Sequence, residues 1–166
     1  MPASVERRTR ILDAAAALIS RYGYDKTTID DIAREAGTSK GAVYLEFRSK
    51  DELFEALLLR ELTRYAEEWL RLIDLDPKGG TIGAMYKNSL HAMNRSPFMA
   101  AMFGQDRRVF GNYLLRPGNL FDRMQAQPLE SSRHAFVRKM QEAGLIRRDL
   151  NANVIAHIMS IIGCGL

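Results

Sequence analysis

The chain of 166 residues is long enough for one compact domain, or for a small domain joined to a larger one. Its 46% apolar and 27% charged content excludes a disordered chain, and its net charge of +4 permits nucleic-acid binding without demonstrating it. A single cysteine, Cys164, excludes an intrachain disulfide and fits a reducing cytoplasm, while no apolar signal core opens the sequence and no stretch is long enough to span a membrane.

The periodicity predicts a first helix over residues 5–22, preceded by a frayed arm. Ile11, Leu12, Ala15, Leu18, Ile19 and Tyr22 make its apolar stripe. Gly23 ends it, because a residue without Cβ enters the left-handed conformation most readily. Arg7, Arg8 and Arg10 crowd its front, either as a solvated basic end or as phosphate contacts. Residues 1–50 hold nine Lys/Arg against seven Asp/Glu, so there is no dense basic patch. Attraction for nucleic acid must then be local, resting on these arginines and on Lys40, Arg48 and Lys50.

Residues 28–50 read as two short helices around a tight turn. Ile29, Ile32, Ala33 and Ala36 mark the buried face of the first. Thr28 is its N-cap, contributing about 1 kcal/mol, and Asp31 completes a weak capping box. Asp30 and Asp31 suit the positive helix end, and Asp30 is not expected to face DNA closely. Gly37 ends this helix, and Thr38 or Ser39 caps the next, whose Val43 and Phe47 point inward. Ser39, Lys40, Gly41 and Tyr44 are left outward: small, cationic and phenolic groups that suit a phosphate backbone and a major groove. Gly41 costs the helix about 1 kcal/mol against alanine, and either permits close approach to DNA or leaves a loose helix. Tyr44 either donates to a phosphate or half-buries its ring against the first helix. Leu45 either meets a thymine methyl or lends apolar support. Glu46 either turns away from phosphates or accepts from a cytosine amino group. Ser49 and Glu52 form a capping box for a fourth helix. Lys50 sits in its first turn, where the dipole disfavours a cation, and this points to an external anion.

The stretch closely resembles the DNA-binding motif of the tetracycline-repressor (TetR) family of transcriptional regulators, over about residues 8–55. The shared residues are Thr28, Ile32, Ala33, Ala36, Gly37, Ser39, Lys40, Gly41, Val43, Tyr44, Phe47, Ser49, Lys50 and Leu53. The resemblance implies DNA contacts from Thr28, Ser39, Lys40, Gly41, Tyr44 and Lys50, with Thr28 and Lys50 on phosphates. Glu46 departs from the family, which commonly has histidine or tyrosine at that place.

The fourth helix continues to about residue 73, with Leu58, Leu62, Tyr65, Trp69 and Leu72 on one face. The run from Asp76 to Gly80 breaks the chain. Thr81 caps a fifth helix over residues 82–94, and Ser96-Pro97 starts another that reaches the break at Arg116-Pro117-Gly118. Residues 119–127 give a helical turn or two, Pro128 precedes a longer helix to about residue 143, and Asn151 caps the last helix, with Ile155, Ile158, Met159 and Ile162. The expected fold is all-α: an N-terminal three-helix helix-turn-helix domain (1–50) joined by a long helix to a C-terminal helical bundle (51–166). In that bundle Trp69, Tyr86, Met93, Phe98, Met102, Phe110, Tyr113 and Phe121 either line a cavity for an apolar or aromatic effector or pack as plain core.

His91, His134 and His157 show no metal spacing, Ser131, Ser132 and Cys164 lack a nucleophile signature, and no glycine-rich phosphate loop occurs. No enzyme activity, metal or cofactor is therefore expected. The chain stops at Leu166 inside an apolar run, and the resemblance implies that a dimerising helix pair would continue beyond it, so a truncated C-terminus is expected. The reading is a cytoplasmic, homodimeric, ligand-responsive repressor that binds a palindromic operator through helix 39–46 and does not enter membranes. A regulator of the same fold that activates or lacks a ligand is the alternative, and a small helical-bundle enzyme or lipid carrier is a more distant one.

Overall fold

The computed structural model describes residues 3–78, 81–126, 137–138, 141–142 and 148–154. Every regular element among them is helical. Helix α1 (Ala3–Tyr22) buries Ile11, Leu12, Ala14, Ala15 and Ile19. The predicted stripe fails at its end: Tyr22 is half exposed, and Tyr24 takes its place in the core. Gly23 causes the exchange. At φ +84° it closes the helix with its N–H on Ile19 O (2.8 Å) and turns the chain so that the side chain that follows, Tyr24, points inward.

Helices α2 (Ile29–Glu35) and α3 (Lys40–Glu46) follow. The long α4 (Lys50–Leu75) then leaves the head, burying Leu53, Phe54, Leu57 and Leu58 in its first turns. Farther along, Trp69 donates from Nε1 to Met85 O (2.9 Å), tying α4 to α5 (Ile82–Asn94). The expected bounds of α5 are met, with Thr81 Oγ1 accepting from Ala84 N–H (3.2 Å). The single helix expected after Pro97 is instead three pieces: α6 (Pro97–Phe103), α7 (Arg107–Phe110) and a 3-10 turn (Gly111–Leu115). The break falls at Gly104–Asp106, where Gln105 has φ +45° and Asp106 recaps the chain. Helix α8 (Leu120–Ala126) is opened by Asn119, whose Oδ1 accepts from Phe121 N–H (2.8 Å) and Asp122 N–H (3.2 Å).

One apolar cluster runs without interruption from Ile11 through α2, α3 and α4 to Phe98, Phe110, Tyr113 and Leu120. Phe54 is its hub, with ring centroids 4.6 Å from Tyr24, 4.8 Å from Tyr113, 5.8 Å from Phe110 and 6.5 Å from Phe98. Head and body thus share a core. Most of the helix expected over residues 128–143, and Ile155, Ile158, Met159, Ile162 and Cys164, lie outside the described residues. Residues 152–154 are helical, and Asn151 Oδ1 accepts from Asn153 N–H (2.9 Å), as a cap should. No described helix is long and apolar enough to cross a membrane, and no cluster of metal-ligating side chains occurs among the described residues.

Candidate nucleic-acid interface

The turn between α2 and α3 is fixed by local hydrogen bonds. Thr28 Oγ1 accepts from Asp31 N–H (3.1 Å), and Thr28 N–H donates to Asp31 Oδ2 (3.2 Å), completing the capping box. At the other end Thr38 N–H reaches Ala33 O (2.9 Å) and Gly37 N–H reaches Arg34 O (3.2 Å), with Gly37 at φ +61°. This pairing satisfies the last carbonyls of α2 and turns the chain sharply. Ser39 Oγ accepts from Ala42 N–H (3.1 Å) and starts α3. Val43 and Phe47 are buried, so the rest of this short helix has to face out.

The outward face carries Lys40, Gly41, Tyr44 and Leu45. Leu45 is 80% exposed, so it does not serve as apolar support for the head, while Tyr44 at 47% is half-buried and still presents part of its ring outward. Space beside Gly41 is open, with only Ser39 Oγ (3.9 Å) near the position of an added Cβ. Glu46 has turned away from this face. Its carboxylate takes both Nε (2.9 Å) and Nη2 (2.6 Å) of Arg7, while Arg8 donates to Glu46 O (3.1 Å) and lays its guanidinium over the Phe47 ring at 4.2 Å. Two of the three front arginines therefore tie α1 to the end of α3, a role that neither sequence reading of them contained. Arg10 is exposed.

Three of the expected phosphate contacts have internal partners. Thr28 also donates its hydroxyl to Asp31 Oδ2 (2.6 Å), so a phosphate takes that proton only by displacing the carboxylate. Lys40 Nζ sits 2.9 Å from Asp30 Oδ2 in an exposed pair, and this hydrogen bond raises the lysine's pKa. Such a pair is weak in water and yields readily to a phosphate. Lys50 is folded back, with Nζ 4.0 Å from the centroid of the Tyr24 ring. Burial pulls its pKa down, against the pull of Asp25 in the other direction. The cation in the first turn of α4 thus has a ring face against it and the charge of Asp25 nearby, and its presence does not require an external anion. Ser49 caps α4 through Glu52 N–H (3.1 Å), but the return bond to Glu52 Oε2 (2.7 Å) comes from Arg48 N–H rather than from Ser49.

The eight side chains expected around an effector fall into two groups. Phe98, Met102, Phe110 and Tyr113 are buried with Phe121 beside them, their rings meeting edge to face at 5.5–6.3 Å across Phe98–Phe110, Phe110–Phe121 and Tyr113–Phe121. Trp69, Tyr86 and Met93 belong to the paired α4 and α5, all three part-exposed, with Trp69 stacked on Tyr65 at 6.4 Å. Phe98 borders an open groove of about 740 Å³ between the end of α1 and α6–α7.

A polar junction, invisible in the sequence, locks the head to the body. Tyr24 N–H donates to Val109 O (2.8 Å), and Asn112 N–H donates to Asp25 Oδ2 (2.9 Å). Asp51 takes both the Tyr24 hydroxyl and the Arg116 guanidinium. Glu55 takes the Tyr113 hydroxyl (3.2 Å) and Arg123 Nη2 (2.6 Å). Burial raises the pKa of Tyr24 and pushes that of Tyr113 up to about 12. The partners lie 27 to 87 residues apart along the chain, so no local pattern announces these pairs.

The profile of the bacterial regulatory proteins of the tetR family matches residues 11–57, which span α1 to the first turns of α4. The chain is 29% identical over 163 residues to the HTH-type transcriptional repressor Rv1474c of Mycobacterium tuberculosis, covering 96% of this chain and 80% of that protein. Among solved structures, the fatty acid degradation regulator FadR from Bacillus halodurans superposes with a TM-score of 0.64 at 17% identity, over 96% of this chain and 81% of that one. NalD, the secondary repressor of the MexAB-OprM multidrug efflux pump in Pseudomonas aeruginosa, gives 0.62 at 18% identity, over 99% and 83%. At those identities the two structures speak for the fold.

Proposed function

We propose that the chain, which matches the profile of the tetR family of bacterial regulatory proteins over residues 11–57 and is 29% identical to a repressor over nearly its whole length, is itself a repressor of that family that binds a palindromic operator as a homodimer, with α3 in the major groove. The observation that carries this reading is the division of α3. Val43 and Phe47 anchor it inward, and Lys40, Gly41, Tyr44 and Leu45 lie on the outer side of a head whose turn is fixed by caps. Two copies of α3 must lie about 34–36 Å apart to meet successive turns on one face of the duplex. Ser39 and Lys40 then take phosphates, Lys40 by leaving Asp30. Gly41 lets the helix backbone come close, and Tyr44 offers its hydroxyl. Thr28 and Lys50 join only after giving up Asp31 and the Tyr24 ring.

The body (51–166) would hold the dimer interface and the site for an apolar or aromatic effector. Phe98, Met102, Phe110, Tyr113 and Phe121 pack on one another, so an effector at this end enters by parting those rings. The same rings touch Phe54 and Tyr24, which gives such a ligand a mechanical route to the head. Release from DNA requires only that the effector bind the two head positions unequally. The cytoplasm, where the operator would be, is the compartment this reading requires, and it assigns the chain no catalysis.

Enrichment of duplexes from a random pool tests the reading. The expected product is an inverted repeat that binds two chains and loses affinity steeply with salt. No enrichment above bulk DNA would overturn it. Reporter output from the selected site, with and without the protein, separates repression from activation.

A further inference from the structure

We propose that Leu45 reads the 5-methyl group of one thymine in each operator half-site and thereby sets part of the sequence preference, an inference that rests on the DNA-binding reading above. At 80% exposure Leu45 is the most exposed of the large apolar side chains among the described residues. Its neighbours on the head are capped, paired or packed, so its exposure does not come from a loosely folded segment. Leu45 lies one helical turn after Gly41, and residues four apart share a face. The side chain before it on that face is therefore a hydrogen atom, with open space around it. Nothing at Gly41 holds the helix away from a surface that Leu45 approaches.

The chemistry narrows what that surface presents. Leucine neither donates nor accepts a hydrogen bond. In the major groove adenine, guanine and unmodified cytosine offer polar edges, and thymine alone adds a methyl group. The groups around Leu45 on α3 do not compete for this role. Glu46, the one side chain suited to a cytosine amino group, is engaged twice by Arg7 and stands only 13% exposed. Lys40 is directed to Asp30 at the other end of the helix. The polar and cationic members of α3 suit phosphates, and the apolar one suits a methyl group.

The test uses the full chain and a duplex enriched from the random pool. Each thymine is replaced singly by deoxyuridine, which removes only the methyl group, and dissociation constants are measured for the wild type and Leu45→Ala. One thymine per half-site is expected to lose roughly three- to tenfold in wild-type affinity when replaced by deoxyuridine. The same replacement should change the affinity of Leu45→Ala by less than about twofold, since the partner methyls are gone on the protein side. Unchanged thermal unfolding of Leu45→Ala shows that the effect is not one of folding. Equal losses for both proteins at every thymine, or no sensitive thymine at all, would overturn the assignment while leaving DNA binding intact. Failure to enrich any duplex would instead remove the DNA-binding reading itself, and this proposal with it.

Discussion

Substituting Gly23 by alanine probes the contact that fixes the head on the body. Gly23 has φ +84°, and a Cβ built there would come closer to Arg108 O than real Cβ atoms come to an oxygen. Gly37 is a matched control, with φ +61° and nothing within 4 Å of its added Cβ. Both alanines suffer the left-handed backbone penalty, about 1 kcal/mol. At Gly37 that is the whole cost. At Gly23 the loop must also withdraw from α7. That movement breaks the bond from Tyr24 N–H to Val109 O, worth about 1 kcal/mol, and loosens Tyr24 between Phe54 and Tyr113. The total is about 2–4 kcal/mol. At about 2–4 °C per kcal/mol for a chain of this size, Gly23→Ala should melt about 5–15 °C below the wild type, and Gly37→Ala about 2–4 °C below. Circular dichroism during heating measures both. Equal shifts would show that the close approach of Gly23 to Arg108 contributes nothing, and the tight junction would have to be abandoned.

Two further outcomes follow from named groups. Tyr113, with its pKa raised from 10.0 to about 12, keeps its proton in the folded state after the unfolded chain has lost it. Its contribution to stability is therefore complete below pH 10 and is lost as pH rises from about 10 to about 12; urea midpoints across that range should fall less steeply for Tyr113→Phe than for the wild type. Removing Arg7 exposes the Glu46 carboxylate to the phosphates, so Arg7→Ala should weaken operator binding roughly tenfold, and adding Glu46→Ala should restore most of it. A double variant no better than Arg7→Ala would mean that Arg7 acts by touching DNA rather than by neutralising Glu46.

The head was legible in the sequence because its signals are local. Thr28, Gly37 and Ser39 each satisfy backbone groups within five residues, and the structure shows each in that role. Thr81 and Ser96-Pro97 fixed α5 and the start of α6 for the same reason. Distance along the chain defeated the rest. Glu46 and Arg7 are 39 residues apart, so a carboxylate that looked awkward on the recognition face was already neutralised. Lys50 finds Tyr24 and Asp25 across the head, which removes the reason for inferring an outside anion from its position alone. Tyr22 and Tyr24 could not be told apart as core and surface, because the exchange depends on a turn at Gly23 that packs against Arg108 and Val109. The split of residues 97–115 into three pieces depends on Gln105 at positive φ, a conformation that its residue type does not announce.

The central claim is that the open side of α3 enters a groove of DNA, and Gly41→Glu tests it most directly. Gly41 is exposed in the first turn of that helix, has no positive φ and has room for a side chain. Replacing glycine there favours the helix by up to about 1 kcal/mol, and an acidic group near the N-terminus adds to that. In a groove lined by phosphates the same carboxylate repels. Affinity for the enriched duplex, measured by fluorescence anisotropy beside a thermal melt, should therefore fall about a hundredfold or more while the melting temperature holds or rises. Undiminished affinity in Gly41→Glu would contradict the account.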